Sequence, residues 1–243
     1  MIGFFAGLAV GAVLTVLGAG GSLFIVPVLV FVLNVPVAQA TGTSLAIVGA
    51  AAAAGAIGHG RKGNIIWKVA VLFGATAAIG AYFGSSLHSY VSDRTLTILF
   101  AVILVVAAVR MLLGKPVDPT TTEPAKVHVL LPLGGAIGVL SGFLGVGGGF
   151  LMVPSLNGPA RLTVKQAIGT SLAVIAVSSL SGTIGHAMHG TLSLEVVASV
   201  GGGAVLGALA ATPLSGRLPE RPLRVGFAFL AIAVALVLVF VQK

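Results

Sequence analysis

The sequence contains no cysteine, which excludes disulfide bridges, thiolate metal sites and a cysteine nucleophile. Charge is almost as scarce: 7% of residues are Asp, Glu, Lys or Arg, against about 25% in a soluble globular domain. So few charged groups cannot cover a folded surface in water, whereas a lipid environment asks for none. Acidic side chains are the rarest. The five are Asp93, Asp118, Glu123, Glu195 and Glu220, and none falls in the middle of an apolar segment. A carboxylate there would mark a cation path or a proton relay, and the sequence offers neither. Nucleotide motifs are missing as well. The run Gly145-Val146-Gly147-Gly148-Gly149-Phe150 is followed by no Gly-Lys-Ser/Thr and preceded by no strand, so neither a phosphate loop nor a dinucleotide fold is expected.

What is present is hydrophobicity from end to end. Apolar residues make up 57% of the 243 and mean hydropathy is +1.16, so one anchor or one secretory signal cannot explain the pattern. The opening Met1-Ile2-Gly3-Phe4-Phe5 lacks the basic region of a signal peptide and is expected to be mature structure. The net charge of +8 comes from Lys and Arg in short loops, which reads as membrane topology rather than nucleic-acid binding.

The chain repeats itself at one constant offset without a gap. Gly18-Ala19-Gly20-Gly21 meets Gly145-Val146-Gly147-Gly148, and Val26-Pro27 meets Val153-Pro154. Gly42-Thr43-Ser44-Leu45-Ala46 meets Gly169-Thr170-Ser171-Leu172-Ala173, and Ile57-Gly58-His59 meets Ile184-Gly185-His186. Matching Pro, Thr, Ser and His in one register points to duplication. Two membrane repeats, 1–116 and 128–243, are expected around a polar, proline-rich linker at 117–127.

Six segments are apolar over the roughly 20 residues a spanning helix needs: 40–58, 65–87 and 94–113, then 167–185, 192–213 and 222–241. Each half also opens with a longer apolar region, 2–33 and 129–157, cut by the glycine-rich break. Sixteen residues before the first break reach only about 24 Å, so this region is expected to form two short helices or a re-entrant hairpin. If it crosses twice or not at all, the repeats are inverted. Eleven of the thirteen Lys and Arg residues then lie on one side, with Arg94 and Lys243 alone on the other; the parallel alternative divides them almost evenly. The positive-inside rule selects inversion. The expected fold is an all-α integral membrane protein of two inverted-topology repeats, with discontinuous or re-entrant helices at the glycine breaks. Rows such as Gly3, Gly7 and Gly11, or Gly80 and Gly84, are expected to serve close helix packing.

Glycine breaks at membrane depth free backbone amides, and a helix start is suited to anions. The candidate substrate-binding residues are Gly20, Gly21 and Ser22 at the first break and Gly147, Gly148 and Gly149 at the second. They are joined by Gln39, Thr43 and Ser44 and, in the other half, Gln166, Thr170 and Ser171. Hydroxyls can hold an oxyanion without carrying charge, although they often bond back to their own helix. His59 and His186, repeated in register, are candidates for a proton relay. No metal site and no cofactor is expected, since His186 and His189 have no carboxylate nearby.

The paired Gly18–Pro27 and Gly145–Pro154 stretches, with Gly42–Ser44 and Gly169–Ser171, resemble the TauE/SafE family of sulfite exporters and anion permeases over nearly the whole chain. The resemblance implies a multi-pass inner-membrane carrier of a small sulfur-containing anion such as sulfite or an organosulfonate, without an ATPase subunit. The first break reads Gly-Ala-Gly-Gly-Ser where the second reads Gly-Val-Gly-Gly-Gly, so unequal half-sites are expected. Beyond the lipid bilayer and a small anionic substrate, a homodimer is the one protein partnership left open; nucleic acid is not a partner. The rivals are a channel-like facilitator for a small neutral or anionic solute and a membrane enzyme built on the two histidines.

Overall fold

The computed structural model describes residues 2–18, 22–87, 127–144, 149–157, 159–188 and 192–215, together with scattered positions within 95–113 and 222–236. Among the described residues the regular structure is helical throughout, as expected of a chain whose backbone must satisfy itself in lipid. The first half contributes α1 (Ile2–Leu17), the short α2 (Ser22–Pro27), α3 (Val37–Arg61) and α4 (Trp67–Leu87). The second contributes α5 (Val127–Leu144), α6 (Gly149–Asn157), α7 (Val164–Ala187) and α8 (Leu194–Ser215). Four of these, α3, α4, α7 and α8, are long and apolar enough to cross a membrane. They coincide with the expected 40–58, 65–87, 167–185 and 192–213. The expected segments 94–113 and 222–241 lie largely outside the described residues, as does the linker except for Val127, which opens α5.

The surface is that of a lipid-facing protein. Trp67, Phe83, Leu180 and Leu194 are each at least 60% exposed, where a soluble protein would put charge. In the two partly described segments Ala101, Ala108, Ala228 and Ala235 are buried, while Val102, Val109, Phe229 and Leu236 face outward. Small residues turn in and large aliphatic or aromatic ones turn out. Between helices in lipid, close packing rather than burial of apolar area drives association.

That packing runs across the halves. α1 lies on α8, α5 lies on α4, and α3 and α4 both meet α7. The seams are glycine. A Cβ on Gly7 or Gly11 would overlap the carbonyl oxygens of Val200 or Ala204, and one on Gly203 or Gly207 would overlap those of Phe4 or Leu8. In the equivalent seam Gly80 and Gly84 meet Gly135 and Val139, while Gly138 and Gly142 meet Ala77 and Ala81. Backbone therefore touches backbone at both sites, as the glycine rows suggested.

After each glycine break the chain repeats one local device. Pro27 has no N–H to return to the preceding turn, and α2 widens into a π-helical turn at Val28–Val32. Leu33 N–H donates to the Val28 carbonyl at 3.1 Å and Val35 N–H to that of Leu29 at 2.9 Å. The same two bonds recur at the equivalent positions of the second half, from Ala160 to Ser155 and from Leu162 to Leu156, at the same distances. Both turns close through a left-handed residue, Asn34 (φ 53°) and Arg161 (φ 57°). Asparagine tolerates that region and arginine seldom adopts it, so the second turn is held by its surroundings rather than by its own preference.

Candidate functional site

α1 stops at Leu17, and Gly18 turns out of the helix at φ +76°. A side chain there would be strained, and its Cβ would come within 2.8 Å of the Ile168 Cα. Gly18, which opens the first break, therefore lies directly on the opening turns of α7, which carry the Gly-Thr-Ser motif of the other half. Ser171 Oγ is placed to donate to the Gly18 carbonyl at 2.7 Å and to the Ile168 carbonyl at 2.8 Å. Ser44, its counterpart, donates to the Thr41 carbonyl at 2.7 Å.

The two threonines make a reciprocal pair of contacts. Thr170 Oγ1 accepts from the Ile66 N–H, just before α4, at 3.0 Å. Thr43 Oγ1 accepts from the Ser193 N–H, just before α8, at 3.1 Å. Donor and acceptor both shift by the offset of the repeat, so each half receives at its own helix start the hydroxyl of the other. An N–H ahead of a first helical turn has no partner within its helix, and here the opposite repeat supplies one. Thr43, Ser44, Thr170 and Ser171 are all fully buried.

The remaining sequence candidates are distributed as follows. Ser22 is buried and begins α2, and Gly149 begins α6. Gly20, Gly21, Gly147 and Gly148 lie outside the described residues. Gln39 is exposed in the first turn of α3. Gln166 closes a capping box on α7, its Oε1 accepting from the Thr163 N–H at 3.1 Å while Thr163 Oγ1 accepts from the Gln166 N–H at 3.3 Å. Its carbonyl is thus committed to the helix start.

His59 is buried, with Nε2 3.0 Å from Ser215 Oγ and Nδ1 3.4 Å from Asn64 Nδ2. Ser215 Oγ donates to the Thr212 carbonyl at 2.8 Å, and Lys62 Nζ donates to the same carbonyl. An amide donating to Nδ1 leaves the proton on Nε2, which sets the neutral tautomer. His186, also buried, has Nε2 3.4 Å from the Gly142 carbonyl, three residues before the second break. The His186 ring therefore meets the carbonyl end of an opening helix, α5. Sequence comparison of the halves passes over Asn64, Thr212 and Ser215, because their counterparts are Thr191, Ser85 and His88.

The family described as "Sulfite exporter TauE/SafE" matches residues 3–238 of this chain. The chain belongs to the TauE/SafE family. A probable membrane transporter protein of Xylella fastidiosa is 34% identical to this TauE/SafE member over 241 residues, covering 95% of this chain and 91% of the relative. The probable membrane transporter protein YdhB of Bacillus subtilis is 30% identical over 221 residues, 88% and 89% of the two chains. One from Methanocaldococcus jannaschii is 30% identical over 186 residues, 74% and 69%. No solved structure is a significant match. With four helices long enough to cross a bilayer, this TauE/SafE protein is an integral membrane transporter and not an enzyme.

Proposed function

We propose that the protein is a secondary permease for a small sulfur-containing anion such as sulfite or an organosulfonate. It works by alternating access around a midplane site between two inverted repeats. The observation that carries this reading is the seating of the first glycine break on the Gly-Thr-Ser turn of the opposite half, through Ser171 and the Gly18 carbonyl. A carrier of this kind binds where discontinuous helices of two repeats meet, and a buried, uncharged hydroxyl lining there suits an anion that must also be released.

The family description supports the sulfur chemistry. The reciprocal Thr170–Ile66 and Thr43–Ser193 contacts support a pseudo-twofold relation between the repeats, and the distribution of Lys and Arg supports inversion. In this reading the substrate meets Gly20, Gly21, Ser22, Thr43 and Ser44 from one half and Gly147, Gly148, Gly149, Thr170 and Ser171 from the other. Gln39 and Gln166 stand at the approach. The protein is multi-pass in the cell inner membrane, needs no ATPase subunit, and admits a homodimer.

The test is flux in proteoliposomes holding the purified protein. Saturable uptake of labelled sulfite or sulfoacetate, accelerated by unlabelled anion on the far side, is the expected result. Non-saturating flux without exchange would point to a channel. Thr170→Val combined with Ser171→Ala should abolish uptake, and unchanged flux in that variant would refute the site.

A further inference from the structure

Helix contacts differ in what they can survive. Where backbone is packed on backbone, a helix can neither slide nor turn without driving main-chain atoms into one another. Where side chains meet, rotamers and single hydrogen bonds can be exchanged. The glycines sort the contacts of this structure into these two kinds. On the α1–α8 seam a Cβ at Gly7, Gly11 or Gly207 would first strike the backbone of the facing helix, and so would one at Gly80, Gly84 or Gly142 on the α4–α5 seam. Where α3 and α7 meet their neighbours, the first atom struck belongs to a side chain: Ser179 from Gly49, Thr212 from Gly58, Leu45 from Gly182 and Ser85 from Gly185.

The polar contacts follow the same division. α3 and the turn after it are held to α8, or to the residue ahead of it, by Thr43 with the Ser193 N–H, His59 with Ser215, and Lys62 with the Thr212 carbonyl. α7 is held to α4, or to the residue ahead of it, by Thr170 with the Ile66 N–H and by Ser181 Oγ, which donates to the Ala78 carbonyl at 2.8 Å. Each is a single side-chain hydrogen bond, weak enough to be exchanged for another. Outside the seams, Gly18 presses on the Ile168 backbone and Gly169 on that of Asn64. Both of these contacts fall in the opening turns of α7, where they can serve as a pivot. The seams themselves join unlike halves. α1 and α4 belong to the first half, α5 and α8 to the second, and the repeat offset carries α1–α8 onto α5–α4.

We propose that the bodies that move during transport are the pairs α1–α8 and α4–α5, each drawn from both repeats, and that they shift against the α3–α7 pair about the start of α7. The inference rests on the permease reading and adds to it which parts move. The repeats do not rock as units, because separating them would pull apart both glycine seams. Moving the exchanged pairs breaks only side-chain contacts. α8 lies against α3 and α4 against α7, so each body borders the central pair. The relation that carries one repeat onto the other exchanges the two bodies. In inverted repeats, the movement of one body at one face is then equivalent to that of the other body at the opposite face, as alternating access requires.

The experiment ties chosen surfaces together with introduced cysteine pairs, since the chain has none of its own. Gly3→Cys with Val200→Cys ties α1 to α8, where a Cβ on Gly3 stands 3.2 Å from a Val200 methyl. Ala81→Cys with Gly182→Cys ties α4 to α7 across a Cβ–Cβ distance of 3.9 Å, within the range of a disulfide. Ser85→Cys with Gly185→Cys, 3.2 Å apart, repeats that tie one turn further on. Flux of labelled sulfoacetate in proteoliposomes is read with each variant reduced, then oxidised with copper phenanthroline, so the reduced form is its own reference. Where wild type carries only sulfite, which cleaves disulfides, dibromobimane replaces the oxidant and bridges the same pairs through thioethers. The α1–α8 tie should leave flux within about twofold of its reference, and both α4–α7 ties should lower it about tenfold or more. Loss of flux with the α1–α8 tie, or full flux with the α4–α7 ties, would overturn the inference and leave the permease reading intact. No wild-type flux of either anion would remove the permease reading and this inference with it.

Discussion

Ser171 Oγ stands 2.7 Å from the carbonyl oxygen of Gly18, 153 residues earlier in the chain. The contact joins the Gly-Thr-Ser turn of one half to the glycine break of the other. It binds a carbonyl that the left-handed Gly18 turns away from α1. Ser171→Ala leaves that carbonyl buried without a donor, which costs about 1–3 kcal/mol. A lower melting temperature in detergent, together with reduced sulfite flux, is expected; Ser44→Ala serves as the comparison in the other half. An unaltered melting temperature would show that the contact contributes nothing to the fold.

The reciprocal threonines lead to a symmetric expectation. Thr170→Val removes the acceptor of the Ile66 N–H, and Thr43→Val that of the Ser193 N–H. Each should destabilise by a similar amount, about 1 kcal/mol, and the two effects should add within about 0.5 kcal/mol if the sites are independent. Melting of the two single variants and the double variant measures this. Markedly unequal effects would mean that the halves differ at this joint despite their matching geometry.

The glycine seams separate packing from mere composition. Gly138→Ala drives a methyl into the Ala77 backbone, whereas a methyl on Gly135, in the same helix, would have nothing within 4 Å. Gly138→Ala should lose most of the monodisperse protein in size-exclusion chromatography. Gly135→Ala should be neutral or gain up to about 1 kcal/mol from helix propensity. Equal behaviour of the two would contradict the seam.

Topology can be read by labelling, because the chain has no cysteine of its own. Lys62 and Lys165 are both exposed. In inverted repeats Lys62→Cys and Lys165→Cys react with an impermeant maleimide from the same side of the membrane, and Lys243→Cys from the other. Labelling of Lys62→Cys and Lys165→Cys from opposite sides would establish parallel repeats.

The long helices are legible in the sequence because lipid imposes a simple demand, an unbroken apolar run of sufficient length, and 40–58, 65–87, 167–185 and 192–213 all meet it. The seams are legible because Gly3, Gly7 and Gly11 recur at helical spacing. Duplication exposes Thr43, Ser44, Thr170, Ser171, His59 and His186, since identity at one offset is visible in any apolar background. The pairings are not legible. Nothing in the sequence says that Thr170 serves Ile66 or that Ser171 serves Gly18, because these contacts depend on how the halves interleave. The capping role of Gln166 is hidden because Gln39 follows Pro36 and lacks the threonine that completes the box. The left-handed Arg161 has no local signal at all.

The seating of α1 against α8 bears on how the protein is made. α1 packs on residues 194–215, so it must wait in the bilayer, its glycine face unmatched, until α8 has also been synthesised. Assembly is therefore completed after insertion rather than during it. A gene split between the halves should yield two polypeptides that are degraded when expressed separately and that restore each other when expressed together.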